Sequence, residues 1–544
     1  MPVPEPLAAA SRRWLADDPD PRTRSELAAL VERGEAEELA DRFAGTLTFG
    51  TAGIRGPLGA GPMRMNQVVV RRLAAGLAAT LLAEDAPAVR RRGVVVGHDA
   101  RHRSADFAAD AAAVIAGAGV PALALPGPGP TPVLAYAVRH LGAAAGLMVT
   151  ASHNPPADNG VKVYGGDGAQ IVPPTDGRIA AAMAAVEEVG SLPLGGPTAL
   201  GDEVLEAYLD AVVAAVGSAR GAGVRLVHTA LHGVATRPLL ALFERAGLPA
   251  PHVVAAQSGP DPDFPTVAFP NPEEPAALDL ALREADRVRA DAVLANDPDA
   301  DRLALAVREG EGWRMLTGDE LGVLLGDHVL STTHGSDRLV GTTVVSSPLL
   351  GRLAAERGVE CVVTLTGFKW LMRAAADRPQ KRFVFGYEEA LGYAVGDTVR
   401  DKDGLGAALA VALLLGELRE AGETVASRLA GIYARHGLHA SAQWSVRMAG
   451  VDGAARMRAA VDRLATSPPA TVAGRRVTSV DRPAPDVVVL ALEGGARVVV
   501  RPSGTEPKLK CYLQVALAAR DGDAAGMLAE LRGGMAATLG LPGG

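Results

Sequence analysis

Thr150-Ala151-Ser152-His153-Asn154-Pro155-Pro156 sets a hydroxyl nucleophile beside an imidazole, at the end of the apolar run Ala143–Val149. That run reads as a buried strand, and Asn-Pro-Pro bars its continuation as sheet or helix. A serine on a stiff strand-end turn has a fixed position and can turn its Oγ to a cleft, as covalent chemistry requires. Asn296-Asp297-Pro298-Asp299-Ala300-Asp301-Arg302 follows a second apolar run, Ala292–Ala295. Its carboxylates at i, i+2 and i+4 fall on one side of an extended segment. Oxygen-only ligands of this kind suit Mg²⁺, which takes few protein ligands. An EF-hand is excluded, because Arg302 stands where the loop glycine belongs and Arg308 where the bidentate glutamate belongs. The plain alternative is a solvated acidic turn.

Arg501-Pro502-Ser503-Gly504-Thr505-Glu506-Pro507-Lys508 packs a guanidinium, two hydroxyls, a glycine and an ammonium between two expected strands. Fixed donors with positive charge are what a phosphate dianion needs. A Walker loop would require Gly-Lys-Ser/Thr at a helix start, which this stretch lacks. The plain alternative is a polar hairpin loop. Smaller groups point the same way. Phe49-Gly50-Thr51-Ala52-Gly53-Ile54-Arg55-Gly56 places an arginine in a glycine-rich turn, and Asn159-Gly160-Val161-Lys162 brings a lysine just past the serine loop. Gly97-His98-Asp99-Ala100-Arg101, Gly367-Phe368-Lys369-Trp370 and Gly386-Tyr387-Glu388-Glu389-Ala390-Leu391-Gly392 follow expected strands. Each alone reads as a structural turn. Together they are polar strand-end loops, where α/β modules bind ligands.

Of 54 basic residues only six are lysine: Lys162, Lys369, Lys381, Lys402, Lys508 and Lys510. In a chain this rich in arginine, a lysine can mark a place where a compact charge or a titratable nitrogen is needed. Lys381, in the polar run Arg378–Arg382, reads as a chance survivor.

These loops need a scaffold, and the 544 residues allow three or four domains. A formal charge of −8 argues against a general nucleic-acid or membrane-surface role. Cys361 and Cys511 form neither a disulfide framework nor a zinc spacing, and the N-terminal stretch lacks a signal-peptide apolar core. Prolines break the longest uncharged run, Ala111–Val138. A cytoplasmic protein without a membrane span is expected.

Residues 1–44 read as a charged helical extension, with apolar positions at Leu27, Leu30, Val31 and Leu39. From about 45 short apolar runs alternate with alanine-rich helical segments, the rhythm of α/β units with largely parallel sheets. The expected division is α/β domain I over 45–210, II over 211–325 and III over 326–438, with an α+β domain over 439–544. Gly190–Gly201 and the turn-rich 257–275 are candidate linkers.

The four main motifs are Thr-Ala-Ser-His-Asn-Pro, Asp-Pro-Asp-Ala-Asp-Arg, the Glu-Glu loop and Arg-Pro-Ser-Gly-Thr-Glu-Pro. In this order, from about Leu47 onward, they closely resemble the α-D-phosphohexomutase family, the phosphoglucomutase/phosphomannomutase enzymes. The resemblance implies three related α/β domains and a smaller C-terminal one around a central cleft. It implies that Ser152 is a phosphoserine that donates and recovers the phosphoryl group. Asp297, Asp299 and Asp301 would hold Mg²⁺, completed by a Ser152 phosphate oxygen. Arg55 and Arg302 would stabilise charge at the reacting phosphate. His153, Lys162 and Lys369 are the proton-carrier candidates, with Lys162 and Lys369 favoured. Gly367, Glu388 and Glu389 would read the sugar, while Arg501, Ser503, Gly504, Thr505 and Lys508 would grip the phosphate that is not reacting. A sugar bisphosphate would serve as activator, and a monomer or homodimer with no nucleic-acid or membrane partner is expected.

Many members have serine two residues after the first glutamate of the sugar loop, where this chain has Ala390. The stretches at Pro260–Val267 and Phe269–Glu274, with Thr-Gly-Phe-Lys-Trp, look most like the branch holding phosphopentomutases, glucose-bisphosphate-forming enzymes and bacterial phosphoglucomutases. The expected reaction interconverts glucose, and to some extent mannose, 1- and 6-phosphates. A phosphopentomutase is the alternative, and a phosphate-releasing hydrolase or a non-catalytic sugar-phosphate binder are the outside readings.

Overall fold

The computed structural model describes residues 3–218, 223–448, 453–503, 508–518 and 522–541. They fall into two compact units, Met1–Met315 with Leu391–Gly416, and Leu316–Ala390 with Glu417–Gly544.

In the first unit the N-terminal extension forms helices Glu5–Asp17, Pro21–Glu32 and Ala36–Arg42. The Asp20 carboxylate caps the second by accepting from Arg22 N–H. Leu27, Leu30 and Leu39 are buried and join Trp14 in the same core as the following domain. The buried Arg42 donates to the Ala60 carbonyl and pairs with Glu26 and Glu38. The extension is therefore bonded to the loop after the first strand.

The first sheet contains β1 (Ile54–Pro57), β2 (Val94–His98), β3 (Ala122–Pro128), β4 (Ala145–Val149), β5 (Asp158–Gly165) and β6 (Thr198–Ala199), ordered β1-β5-β4-β2-β3-β6. β2, β3, β4 and β6 run parallel, while β5 and β1 add antiparallel strands on one side. Every residue of β4, which lies between parallel β2 and antiparallel β5, is buried, as for a central strand covered on both faces. The second sheet contains β7 (Leu226–Thr229), β8 (His252–Val253), β9 (Ala292–Asn296), β10 (Leu303–Glu309) and β11 (Gly312–Met315), ordered β11-β10-β9-β7-β8.

Neither candidate linker is a free connection. Thr198–Ala199 pairs with β3, and the 257–275 stretch buries Gln257, Phe264 and Asn271. Their turn-forming residues shape packed loops rather than spacers. The segment Leu391–Gly416, with β15 (Gly392–Val395), also belongs to this unit. Leu303 N–H donates to the Leu391 carbonyl, and the Tyr208 hydroxyl to Asp403. A Cβ on Gly404 would lie 2.3 Å from the Arg302 carbonyl, so this approach to the aspartate loop has no room for a side chain.

In the second unit β12 (Arg338–Thr343), β13 (Glu360–Thr364) and β14 (Arg382–Glu388) run parallel, with β12 between the other two. Helix Gly318–Thr332 opens on a capping box of Thr317 and Glu320. The C-terminal sheet contains β16 (Leu438–Arg447), β17 (Thr471–Val472), β18 (Arg475–Ala484), β19 (Val487–Leu492), β20 (Arg497–Pro502) and β21 (Lys508–Leu517). It is antiparallel, ordered β16-β21-β20-β19-β18-β17. Helices Gly453–Thr466 and Ala524–Leu539 accompany it. The molecule thus contains three α/β domains and an antiparallel C-terminal domain, the α+β module expected. Among the described residues, no helix is long and apolar enough to cross a membrane.

Candidate active site

The serine loop starts where β4 ends. Ser152 N–H donates to the Thr150 hydroxyl at 2.8 Å, and Asn154 N–H to the Ala151 carbonyl at 3.1 Å. Ser152 is 1% exposed and adopts φ +53°, a left-handed conformation costly to a residue with a Cβ. Its Oγ lies 2.7 Å from Asp297 Oδ2 and 3.1 Å from His153 Nδ1. Two guanidiniums hold the loop backbone. Arg55, on β1, reaches the Ala151 carbonyl and Asn154 Oδ1. The buried Arg101 reaches the carbonyls of Ser152, Asn154, Pro155 and Asp158. Arg55 is opposite Gly160 across the β1/β5 pair, two residues from Lys162, so both side chains point to one face of the sheet.

The aspartate loop follows β9. It is a tight turn rather than the extended segment expected, because Ala300 takes φ +60° and its N–H returns to the Asp297 carbonyl at 2.9 Å. The turn still gathers the carboxylates: ligand oxygens of Asp297, Asp299 and Asp301 lie within 4.8 Å of one another, all buried. Asp297 Oδ1 accepts from Arg302 N–H, and Asp299 Oδ2 accepts from the Thr131 hydroxyl at 2.6 Å. Lys162 Nζ lies 2.7 Å from both Asp299 Oδ2 and Asp301 Oδ2, and Lys402 Nζ 3.2 Å from Asp301 Oδ2.

This crowding sets the electrostatics. Burial, then Asp299 and Asp301, push the Asp297 carboxyl well above the ordinary range. For Asp301 burial is outweighed by Lys162, Lys402 and Arg302, and its pKa is lowered. Burial alone would lower the Lys162 ammonium, but Asp299 and Asp301 outweigh it and raise the pKa. His153 is lowered well below its usual value by burial, with Arg302 and Arg55 adding to the effect. The Oδ1 atoms of Asp299 and Asp301 are buried without a hydrogen-bond partner. Buried carboxylate oxygens without a partner, in a cluster whose third carboxylate meets a serine hydroxyl, fit a hard divalent cation with oxygen ligands.

In the second unit β14 runs through Glu388, so Gly386, Tyr387 and Glu388 belong to the strand rather than to the strand-end loop expected. Glu388 Oε1 accepts from Gly367 N–H at 2.6 Å. Gly367, at φ +111°, precedes helix Phe368–Ala376, and Lys369 lies in its first turn with Nζ 6.0 Å from the Trp370 ring. Glu389 Oε2 accepts from Ser346 and Thr343 hydroxyls at 3.2 and 3.4 Å. Burial, then Glu388 and Asp319, push Glu389 up to about 7. Arg501, on β20, lies opposite Lys510 of the antiparallel β21. Ser503 N–H donates to the Lys508 carbonyl at 2.7 Å. Gly504 and Thr505 lie outside the described residues.

Family models for the phosphoglucomutase/phosphomannomutase α/β/α domains I, II and III match residues 46–190, 206–310 and 317–436, and that for the C-terminal domain matches 457–531. The chain belongs to the α-D-phosphohexomutase family. A Haemophilus influenzae protein called "probable phosphomannomutase" is 42% identical over 83% of this chain and 93% of its own length. A Mus musculus phosphopentomutase is 33% identical over 94% and 90%, and a Staphylococcus aureus phosphoglucomutase 32% identical over 89% and 92%. The Paramecium phosphoglucomutase structure shares the fold, with a TM-score of 0.68 at 18% identity over 92% of this chain and 95% of that one.

This phosphohexomutase is thus a sugar-phosphate mutase with a buried aspartate cluster suited to a metal. Four residues around the aspartate cluster and the serine loop, Thr131, Lys402, Asp99 and Arg101, had no role assigned from the sequence. Thr131 carries no motif of its own. Lys402 stood on the short lysine list, which was signal enough to find it. Asp99 and Arg101 stood in a quoted strand-end loop, but nothing in one sequence says that Arg101 reaches the serine loop 51 positions away.

Proposed function

We propose that the chain interconverts glucose 1- and 6-phosphates, and mannose phosphates to a lesser degree, through a phosphoserine at Ser152. The observation that carries this reading is Ser152 Oγ 2.7 Å from Asp297 in the company of Asp299 and Asp301. Phosphoryl transfer asks the protein mainly for positioning and charge neutralisation. Phosphorylated Ser152 gives its phosphoryl group to a sugar hydroxyl: the P–Oγ bond breaks, a P–O bond to the sugar forms, and the hydroxyl proton ends on Oγ. The bisphosphorylated sugar turns over, and its other phosphate returns to Ser152. A sugar bisphosphate would charge the enzyme at the outset.

Asp297, Asp299 and Asp301, with a Ser152 phosphate oxygen, would hold Mg²⁺, which supplies charge neutralisation at the transferring group. Arg55 and Arg302 would add positive charge, and His153, Lys162 and Lys369 are the candidates for carrying the proton. Gly367, Glu388 and Glu389 would read the sugar; Arg501, Ser503, Gly504, Thr505 and Lys508 would hold the far phosphate. The reading keeps the five-segment division at 44, 210, 325 and 438, with one group of these residues in each domain.

A phosphopentomutase is the second reading, favoured by Ala390 and by mammalian relatives of that name over 94% of the chain. Comparing kcat/KM for glucose, mannose and ribose 1-phosphates separates the two, and a pentose preference of about tenfold or more would overturn the first. Steady phosphate release without isomer formation would instead mark a hydrolase.

A further inference from the structure

Arg101 is 4% exposed, and its guanidinium turns away from solvent into the carbonyl side of the serine loop. Nη2 donates to the Ser152 carbonyl at 2.6 Å and the Asn154 carbonyl at 2.5 Å. Nη1 donates to the Pro155 carbonyl at 2.8 Å and the Asp158 carbonyl at 3.3 Å. Nε faces Asp99 Oδ2 at 3.4 Å. Asp99 is itself fixed, since Oδ1 accepts from the Ser104 hydroxyl at 2.6 Å and from Arg101 N–H at 3.0 Å. The Phe264 ring covers the guanidinium, with its centroid 5.0 Å from Cζ. One planar cation thus collects carbonyls from four loop residues, a task for the rigid fork of arginine rather than the single nitrogen of lysine.

This clamp explains how Ser152 stays in a left-handed conformation. In a trans peptide the carbonyl and the next N–H point in opposite directions. Drawing the Ser152 carbonyl onto Arg101 therefore turns the His153 N–H away from the guanidinium and fixes the peptide plane beside Oγ. The same grip on Asn154 and Pro155 holds the far arm of the turn. Among the described residues, Arg101 makes no hydrogen bond or ion pair to Ser152 Oγ or to the three aspartates, so it acts through the loop.

We propose that Arg101 is a positioning residue for phosphoryl transfer: by gathering the carbonyls of Ser152, Asn154, Pro155 and Asp158 it locks the loop so that Oγ is presented to Asp297. This rests on the phosphoserine reading of Ser152. A loop released by about 1 Å would slow transfer about 100-fold while leaving substrate contacts elsewhere intact.

The test uses the full-length protein with R101K and, as a milder variant, Phe264→Leu, which removes the cover without touching the donors. Each is loaded with phosphate at Ser152, checked by intact mass, and followed by kcat, KM and hydrogen exchange of the 150–160 peptide. For R101K the expected result is a kcat about 100-fold lower per phosphorylated molecule, KM within about threefold, and faster exchange. Phe264→Leu should show the same pattern at about three- to tenfold. Unchanged kcat and exchange in folded, phosphorylated R101K overturns the proposal, as does a kcat loss that merely tracks the folded fraction. If R101K does not fold, unchanged kcat and exchange in Phe264→Leu overturns it. Faster exchange in R101K, beside wild-type protein that never phosphorylates and never isomerises a sugar phosphate, supports the clamp and instead overturns the phosphoserine reading.

Discussion

The serine–aspartate region and the glutamate loop solve the burial of acidic groups in opposite ways. Around Ser152 the carboxylates of Asp297, Asp299 and Asp301 are almost wholly buried and answered by full charges, Lys162 and Lys402 on their side chains and Arg302 nearby. Glu388 and Glu389, both half-buried, accept from an amide and from two hydroxyls respectively. In the first region, removing one charge leaves an opposite charge stranded in low dielectric. In the second, hydroxyls and amides can bond a neutral replacement nearly as well. The first is therefore an all-or-none electrostatic assembly and the second an adjustable one.

The sharpest way to break this contrast is Ser152→Ala. Turnover should fall at least about 10³-fold, with the circular dichroism spectrum and melting temperature unchanged. Substantial remaining mutase activity would remove Ser152 from the chemistry.

Asp301→Asn comes next, because it leaves Lys162 and Lys402 short of an anion. It should cost about 10²–10³ in kcat and abolish the heat of Mg²⁺ binding in calorimetry. Its thermal unfolding should also show destabilisation of about 3–5 kcal/mol. Asp301→Asn with unaltered Mg²⁺ binding would show that the cluster is only structural.

Glu389→Gln should act through pH. The folded-state pKa of Glu389 is raised from 4.5 to about 7. The native state therefore holds its proton more tightly than the unfolded chain. Stability falls as pH rises from about 4.5 to about 7, and the loss is complete above that window. The glutamine variant should flatten this slope, gaining up to about 3 kcal/mol at pH 8 and nothing at pH 4. Urea titrations at those two pH values measure the difference, and parallel curves for wild type and variant would contradict it.

The smallest effect is expected from Ala390→Ser, which returns the hydroxyl many family members carry. It should shift the ratio of hexose to pentose kcat/KM toward hexose by about tenfold or less. An unchanged ratio would mean that sugar choice is set elsewhere.

Most strands were legible because they read as unbroken apolar runs: Val94–Val96 and Ala292–Ala295 lie within strands buried on both faces, and Cys361–Leu365 overlaps an edge strand whose Val363 is exposed. Loop conformation was less legible. The aspartates were expected on an extended segment, yet the left-handed turn at Ala300 gathers them, and nothing about alanine announces φ +60°. The 257–275 stretch reads as a linker by composition, but Phe264 is buried over Arg101.

What this sequence determined by itself is the inventory: a serine, three aspartates, a glutamate pair and a few lysines, each beside an apolar run long enough to fix a strand. Local pattern carries that much, because strand period and turn chemistry act between neighbours in the chain. Only the tertiary structure decided the partnerships. Lys162 and Lys402 meet at Asp301 from 139 and 101 positions away, and Arg101 reaches forward to Ser152. Such contacts depend on the register of β4, β5 and β1 and on the return of Leu391–Gly416 to the first unit, which are set by packing of the whole unit rather than by any single segment.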